Sequence, residues 1–162
     1  MSTTDEAMRD EAMRRAIALS RQAFEDAAGE PFGAVVVRDG QVLGEGRNRV
    51  AGNSDPTAHA EVEAIRAACR ALGTNDLGGA VMVTSCEPCP MCTAAILYAN
   101  MAAVVYANDR DDAASAGFDA TRLYEQIARP PAERDIPHRR ASADEARRVF
   151  DAWTRRRDRP DA

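Results

Sequence analysis

Ala58-His59-Ala60-Glu61 and, thirty residues on, Pro88-Cys89-Pro90-Met91-Cys92 place one imidazole, one carboxylate and two thiols at a spacing that suits a single metal ion. Catalytic zinc sites take three protein ligands and leave a fourth position for water, whereas structural sites close with four. His59, Cys89 and Cys92 make such a three-ligand set. Zinc brings the pKa of a bound water down to roughly 7. Glu61, two residues from the imidazole, is the group able to move protons to and from whatever that water attacks, which calls for a tuned pKa and short reach.

The flanking sequence predicts where these groups sit. Val62, Ile65, Cys69 and Leu72 recur at helical spacing, so residues 58–72 read as a helix, with Asp55 or Thr57 as cap, Pro56 at its start and Gly73 as its stop. Residues two apart on a helix point roughly 200° from each other. His59 and Glu61 therefore share a target only at the first turn. Ala80–Thr84 reads as a strand, and a second helix begins at Pro90. Cys89 then lies at a helix N-terminus, where exposed amides and the dipole favour a thiolate, with Cys92 one turn later on the same side. Cys86 repeats the three-residue spacing and opens a second possibility, a closed structural site of one histidine and three cysteines. The wide separation of the ligands argues for a pocket in a larger fold instead. Cys69 falls on the apolar stripe of its helix and reads as a core cysteine.

The 162 residues fit one domain with a substantial core. No apolar run is long enough to span a membrane, and the start Met1-Ser2-Thr3-Thr4-Asp5-Glu6 lacks the pattern of a signal peptide. Four cysteines without an export signal point to the cytoplasm rather than to a disulfide framework. All 21 basic residues are arginine, and the net charge of −5 is uneven: residues 121–162 carry 11 arginines against 8 acids, leaving 10 against 18 for residues 1–120. An acidic body favours a small neutral substrate over a nucleic acid. The arginines of the last segment, interleaved with Asp144, Glu145, Asp151 and Asp158, read as a solvated helix face.

The predicted order is a helix over 5–28 with Met13, Ile17 and Phe24 inward, strands over 33–38 and 41–47 joined at Asp39-Gly40, the His59 helix, a strand, the cysteine helix and a strand over 102–106. Strand–helix–strand implies a parallel pair with a crossover. A helix over 121–128, a proline-rich connection and a last helix from Ser142, with Ala146, Val149, Phe150 and Trp153 on one side and Phe150 and Trp153 as its anchors to the domain, complete the chain. The expectation is an α/β fold, helices on both faces of a mixed central sheet in three layers.

The pairing of HxE with PCxxC is a signature of zinc-dependent nucleobase deaminases, and the chain resembles the cytidine deaminase-like superfamily, most closely its bacterial guanine deaminase branch. The resemblance runs through Pro31-Phe32-Gly33-Ala34-Val35, Asn48, Asp55–Glu61, Thr84–Cys92, Ala116-Gly117-Phe118-Asp119 and Phe150-Asp151-Ala152-Trp153. It implies a three-layer α/β/α deaminase domain and one zinc per subunit on His59, Cys89 and Cys92, with Glu61 as proton shuttle. Phe32 would stack on the base; Asn48 and the backbone amide of Ala60 would hydrogen-bond it; Asp119 and Tyr98 would complete the substrate pocket. Residues 129–162 would cover the site, and the protein would be a homodimer. Asn48 as a turn residue and Asp119 as a helix cap are the plain alternatives. The chain departs from the branch at Ala120, where a second acid often follows Gly-Phe-Asp, at Tyr98 for a tryptophan, and at Pro160-Asp161-Ala162 for a terminal aromatic. The implied reaction is hydrolytic deamination of a free aminopurine, guanine to xanthine and ammonia. Its rivals are another base or nucleoside, adenosine within tRNA, and a non-catalytic zinc domain.

Overall fold

A computed structural model describes residues 3–158; the C-terminal departure at Pro160-Asp161-Ala162 lies outside them. The chain divides into two compact units, Met1–Tyr124 and Glu125–Ala162. The first holds helix α1 (Thr3–Glu25), strands β1 (Gly33–Arg38) and β2 (Gln41–Arg47), a short α2 (Val50–Asn53), α3 (Ala60–Leu72), β3 (Val81–Cys86), α4 (Pro90–Tyr98), β4 (Ala103–Asn108) and α5 (Arg110–Ser115). Helix α6 (Thr121–Ala128) follows, then a 3₁₀ turn at Pro131–Glu133 and α7 (Ala143–Arg157).

Four strands form one sheet in the order β2-β1-β3-β4, with β1 antiparallel to both neighbours and β3 parallel to β4. The expected mixed sheet and its crossover through α4 are therefore present. Asp39 and Gly40 both take positive φ, 51° and 76°, the backbone that a two-residue hairpin needs to match strand twist. Strand β1 is buried along Gly33–Val37 because both faces are covered. Ala34 and Val36 face a cluster with Ala60, Ala64, Ala68, Met82 and Ile96. Val35 and Val37 face one with Ala12, Ala16, Leu19 and Val83. Two cores on opposite sides of one sheet make three layers.

The helix faces differ from those read off the large apolar residues. In α1 the buried positions are Ala12, Ala16, Leu19 and Ala23, while Ile17 and Phe24 are exposed. In α3 they are Ala60, Glu61, Ala64 and Ala68, and Leu72 is exposed. Close approach of backbones explains the preference for alanine. A Cβ on Gly46 of β2 would lie 2.1 Å from the Ala60 carbonyl oxygen, and one on Gly44 would lie 2.5 Å from that of Ala64. Where helix and strand touch main chain to main chain, a long side chain has no room.

Local boundaries also shift. Helix α1 ends at Glu25, not Ala28, with the turn made by Ala27 at φ 49°. Helix α3 is preceded by His59 itself and has no side-chain cap, so neither Asp55 nor Thr57 caps it; Asp55 instead bonds Thr57 within the preceding turn. Helix α5 was not expected. Asp109 and Asp112 start it as a reciprocal capping box, a signal built from two aspartates that polar sequence conceals. Within α7, Val149, Phe150 and Trp153 are 66, 74 and 67% exposed. The unit Glu125–Ala162 is too small to bury them among its own residues.

Candidate active site

His59 is the last extended residue before α3 (φ −68°, ψ 155°), and Cys89 occupies the same place before α4 (φ −64°, ψ 169°). Two helix starts thereby converge at the ends of β1 and β3. His59 Nδ1 lies 3.7 Å from Cys89 Sγ and 3.6 Å from Cys92 Sγ, and all three ligand atoms fall within 4.8 Å of one another. With Zn–S at about 2.3 Å and Zn–N at about 2.0–2.1 Å, tetrahedral angles put nitrogen and sulfur about 3.6 Å apart. The donor spacing fits zinc as it stands.

Without metal, charge at the cluster gathers on one thiolate, that of Cys89. The Cys92 thiol donates toward the Cys89 sulfur, which with the His59 imidazole pulls Cys89 down to about 4. The same hydrogen bond, with burial, pushes Cys92 up. His59 is raised, first by its bond to Cys89. Cys86 stands apart: burial raises it to about 11, and its Sγ faces the Asp109 carbonyl at 3.8 Å. It belongs to no ligand group, so the closed four-ligand arrangement is not the one present.

Glu61, on the first turn of α3, is buried. Its Oε2 accepts from Cys92 Sγ at 3.4 Å and its Oε1 from the Thr84 hydroxyl at 3.4 Å. Burial is the main cause that raises its pKa, the direction a group needs if it is to pick up and release a proton near neutrality.

The ligands open onto a cleft of about 260 Å³, with His59, Glu61 and Cys89 at its base and Phe32, Phe118, Asp119, Ala120 and Tyr124 among its walls. Phe32 and Phe118 meet edge to face, centroids 5.1 Å apart at 73°. Asp119 lines the cleft and also accepts the Thr121 amide at 2.8 Å, so it caps the start of α6. Arg110 rests over the Tyr124 ring at 5.3 Å, while its backbone amide donates to Glu87. Sequence reading assigned no role to Phe118, Tyr124 or Arg110. Phe118 had a signal in its own segment, since Gly117 before it turns the chain at φ 95°.

Asn48 is fully buried and is not part of the cleft lining; its backbone N–H donates to the carbonyl of Phe32, which is, at 2.9 Å. Its Oδ1 accepts from the Val50 amide, which satisfies a turn, but its Nδ2 has no partner among the described residues. A buried amide nitrogen left unpaired costs about 1–3 kcal/mol, so a ligand acceptor there would be gained at a premium. Gly29 is what lets Asn48 lie flat: a Cβ at that position would come within 2.2 Å of Oδ1. Ala60 is the first residue of α3 and is buried; amides of a first turn have no intrahelical acceptor. Tyr98 is not at the cleft. It ends α4, about 12 Å down the axis from the ligand end, and is 92% exposed.

Ligands on two helix starts, an open side facing a cleft and a buried carboxyl at the same spot define a hydrolytic metalloenzyme, not a metal-stapled fold. Residues 7–108 match the cytidine and deoxycytidylate deaminase zinc-binding region, and the chain belongs to that family of zinc-dependent deaminases. It is 47% identical over 141 residues to a guanine deaminase of Bacillus subtilis, covering 87% of this chain and 90% of that one. The crystal structure of guanine deaminase from the same species superposes with a TM-score of 0.87 over 90% of this chain and 93% of the other, at 45% identity. A guanine deaminase structure from Nitrosomonas europaea matches with a TM-score of 0.64 and 33% identity, over 68% of this chain and 64% of that one. A tRNA-specific adenosine deaminase of Agrobacterium fabrum is 47% identical over a shorter stretch, 47% of this chain and 50% of its own.

Proposed function

We propose that this protein deaminates free guanine hydrolytically, giving xanthine and ammonia. The observation that carries the reading is the cluster of His59, Cys89 and Cys92 beside the buried Glu61 carboxyl. The similarity to guanine deaminases along nearly the whole chain selects the base. His59, Cys89 and Cys92 would hold the zinc, which when bound would supply Lewis-acid activation of the attacking water. Glu61 would take one proton from that water and pass it to the ring nitrogen beside C2 as the oxygen adds there; it would then take the second proton from the new C2 hydroxyl and give it to the amine, which leaves as ammonia while the C2 carbonyl forms. Phe32, backed by Phe118, holds the ring face. The unpaired Asn48 Nδ2 donates to an acceptor on the base, the Ala60 amide adds a second donor, and Asp119 reads the exocyclic edge.

Ammonia release by the zinc-loaded protein across guanine, guanosine, cytosine, adenine and an aminotriazine tests the reading. Turnover of guanine well above the rest supports it. Preference for another base moves the substrate and keeps the chemistry. Action on tRNA adenosine with salt-sensitive binding replaces it.

The reading includes a homodimer in the cytoplasm. Leu97, Val104 and Tyr106 are exposed and line one hollow beside β4, the last strand of the sheet, a surface that a second copy would cover. Tyr106→Arg should then shift the protein to monomer in light scattering. Among the described residues no helix is long and apolar enough to cross a membrane.

A further inference from the structure

We infer that Thr84 is a positioning residue for the deamination, fixing the Glu61 carboxyl through its hydroxyl. Thr84 lies on β3, opposite Ala34 of β1 and Tyr106 of β4, and is buried. Its Oγ1 is 3.4 Å from Glu61 Oε1 and 3.4 Å from the Gly33 carbonyl oxygen. One hydroxyl proton is thus offered to two acceptors, and the oxygen keeps lone pairs of its own. The other carboxyl oxygen of Glu61 faces Cys92. The two oxygens of the shuttle are thus distinct: Oε1 is held by the central sheet, and Oε2 is turned toward the metal ligands.

Packing alone does not call for threonine here. A buried strand position between covered faces suits valine, which has the same shape and hides no hydroxyl. The hydroxyl is accounted for by what it touches. Glu61 has three side-chain torsions and stands on a helix start, so a contact from the sheet is what sets the plane of its carboxyl. Reaction geometry is sensitive to such settings, a misplacement of about 1 Å costing on the order of 10²-fold in rate.

The inference rests on Glu61 as proton carrier, and two substitutions separate it from a structural role. Thr84→Val keeps shape and loses the hydroxyl; Thr84→Ser keeps the hydroxyl and loses a methyl. With the zinc-loaded full chain, on whichever base the wild type turns over, Thr84→Val should lower kcat at least about tenfold. KM, zinc content and melting temperature should be retained. Thr84→Ser should recover kcat to within about threefold although it melts lower. The opposite order, valine active and serine impaired, would overturn the inference. So would a rise in KM at constant kcat, which would route the effect through Gly33 and Phe32. In a Glu61→Gln background Thr84→Val should change the residual rate little, and an undiminished further loss there would also overturn it. Wild-type turnover by Glu61→Gln alone would instead remove the shuttle reading, a failure visible without any change at Thr84.

Discussion

The edge of one aromatic ring meets the face of the other where Phe32 and Phe118 join across the cleft, 5.1 Å between centroids. Phe32 begins the turn into β1 and Phe118 follows the Gly117 turn after α5, so the wall that a flat base would stack on is assembled from two distant segments. Such a pair contributes about 0.5–1.5 kcal/mol beyond its buried area. Phe118→Leu should therefore raise KM for guanine by about 2- to 10-fold with kcat largely kept, and steady-state kinetics will show it.

Glu61→Gln should retain zinc, measured by metal analysis, and lose turnover by about 10²–10⁴-fold, the range that general acid–base catalysis supplies.

The same substitution should act oppositely on stability. Burial holds the Glu61 pKa above its ordinary value of 4.5. The carboxyl thus costs the fold nothing below pH 4.5, and the cost grows as the pH rises toward the folded-state pKa, because the unfolded chain ionises freely there. Denaturant midpoints of metal-free wild type and Glu61→Gln should coincide near pH 4 and diverge in favour of the variant by pH 7.

Zinc removal should lower the melting temperature without unfolding the chain at room temperature. The clusters on the two faces of the sheet bury their alanines and valines independently of the ligands. Metal at 100 times its dissociation constant adds about 2.7 kcal/mol to the folded state. Thermal scans with and without a chelator measure the difference, which His59→Ala should abolish.

Asp119→Asn separates the two duties of that side chain. Asparagine caps a helix start about as well as aspartate, so stability should hold within about 0.5 kcal/mol by chemical denaturation. The loss of charge at the cleft should still lower kcat/KM for guanine if Asp119 reads its exocyclic edge. Unchanged kinetics would leave the residue as a cap for Thr121 alone.

Much of this protein was legible in the chain because its chemistry is local. His59 and Glu61 lie two residues apart, Cys89 and Cys92 three apart, and each pair falls at a helix start that proline and spacing announce. The hairpin at Asp39-Gly40 and the strand–helix–strand order were equally plain, since turn chemistry and crossover geometry depend on neighbours in sequence. Helix faces were not. Side-chain size pointed to Ile17, Phe24 and Leu72, yet the packed stripes are mostly alanines, those of α1 set against Gly33 and those of α3 against Gly44 and Gly46. Only the folded chain shows how closely two backbones approach. The contact of Thr84 with Glu61, the support of Phe32 by Phe118, the unpaired nitrogen of Asn48 and the distance of Tyr98 from the cleft likewise join or separate residues by tertiary packing. Ligand identity is written in residue type and spacing, but the orientation of a buried carboxyl or amide is decided by groups that reach it from other strands and helices.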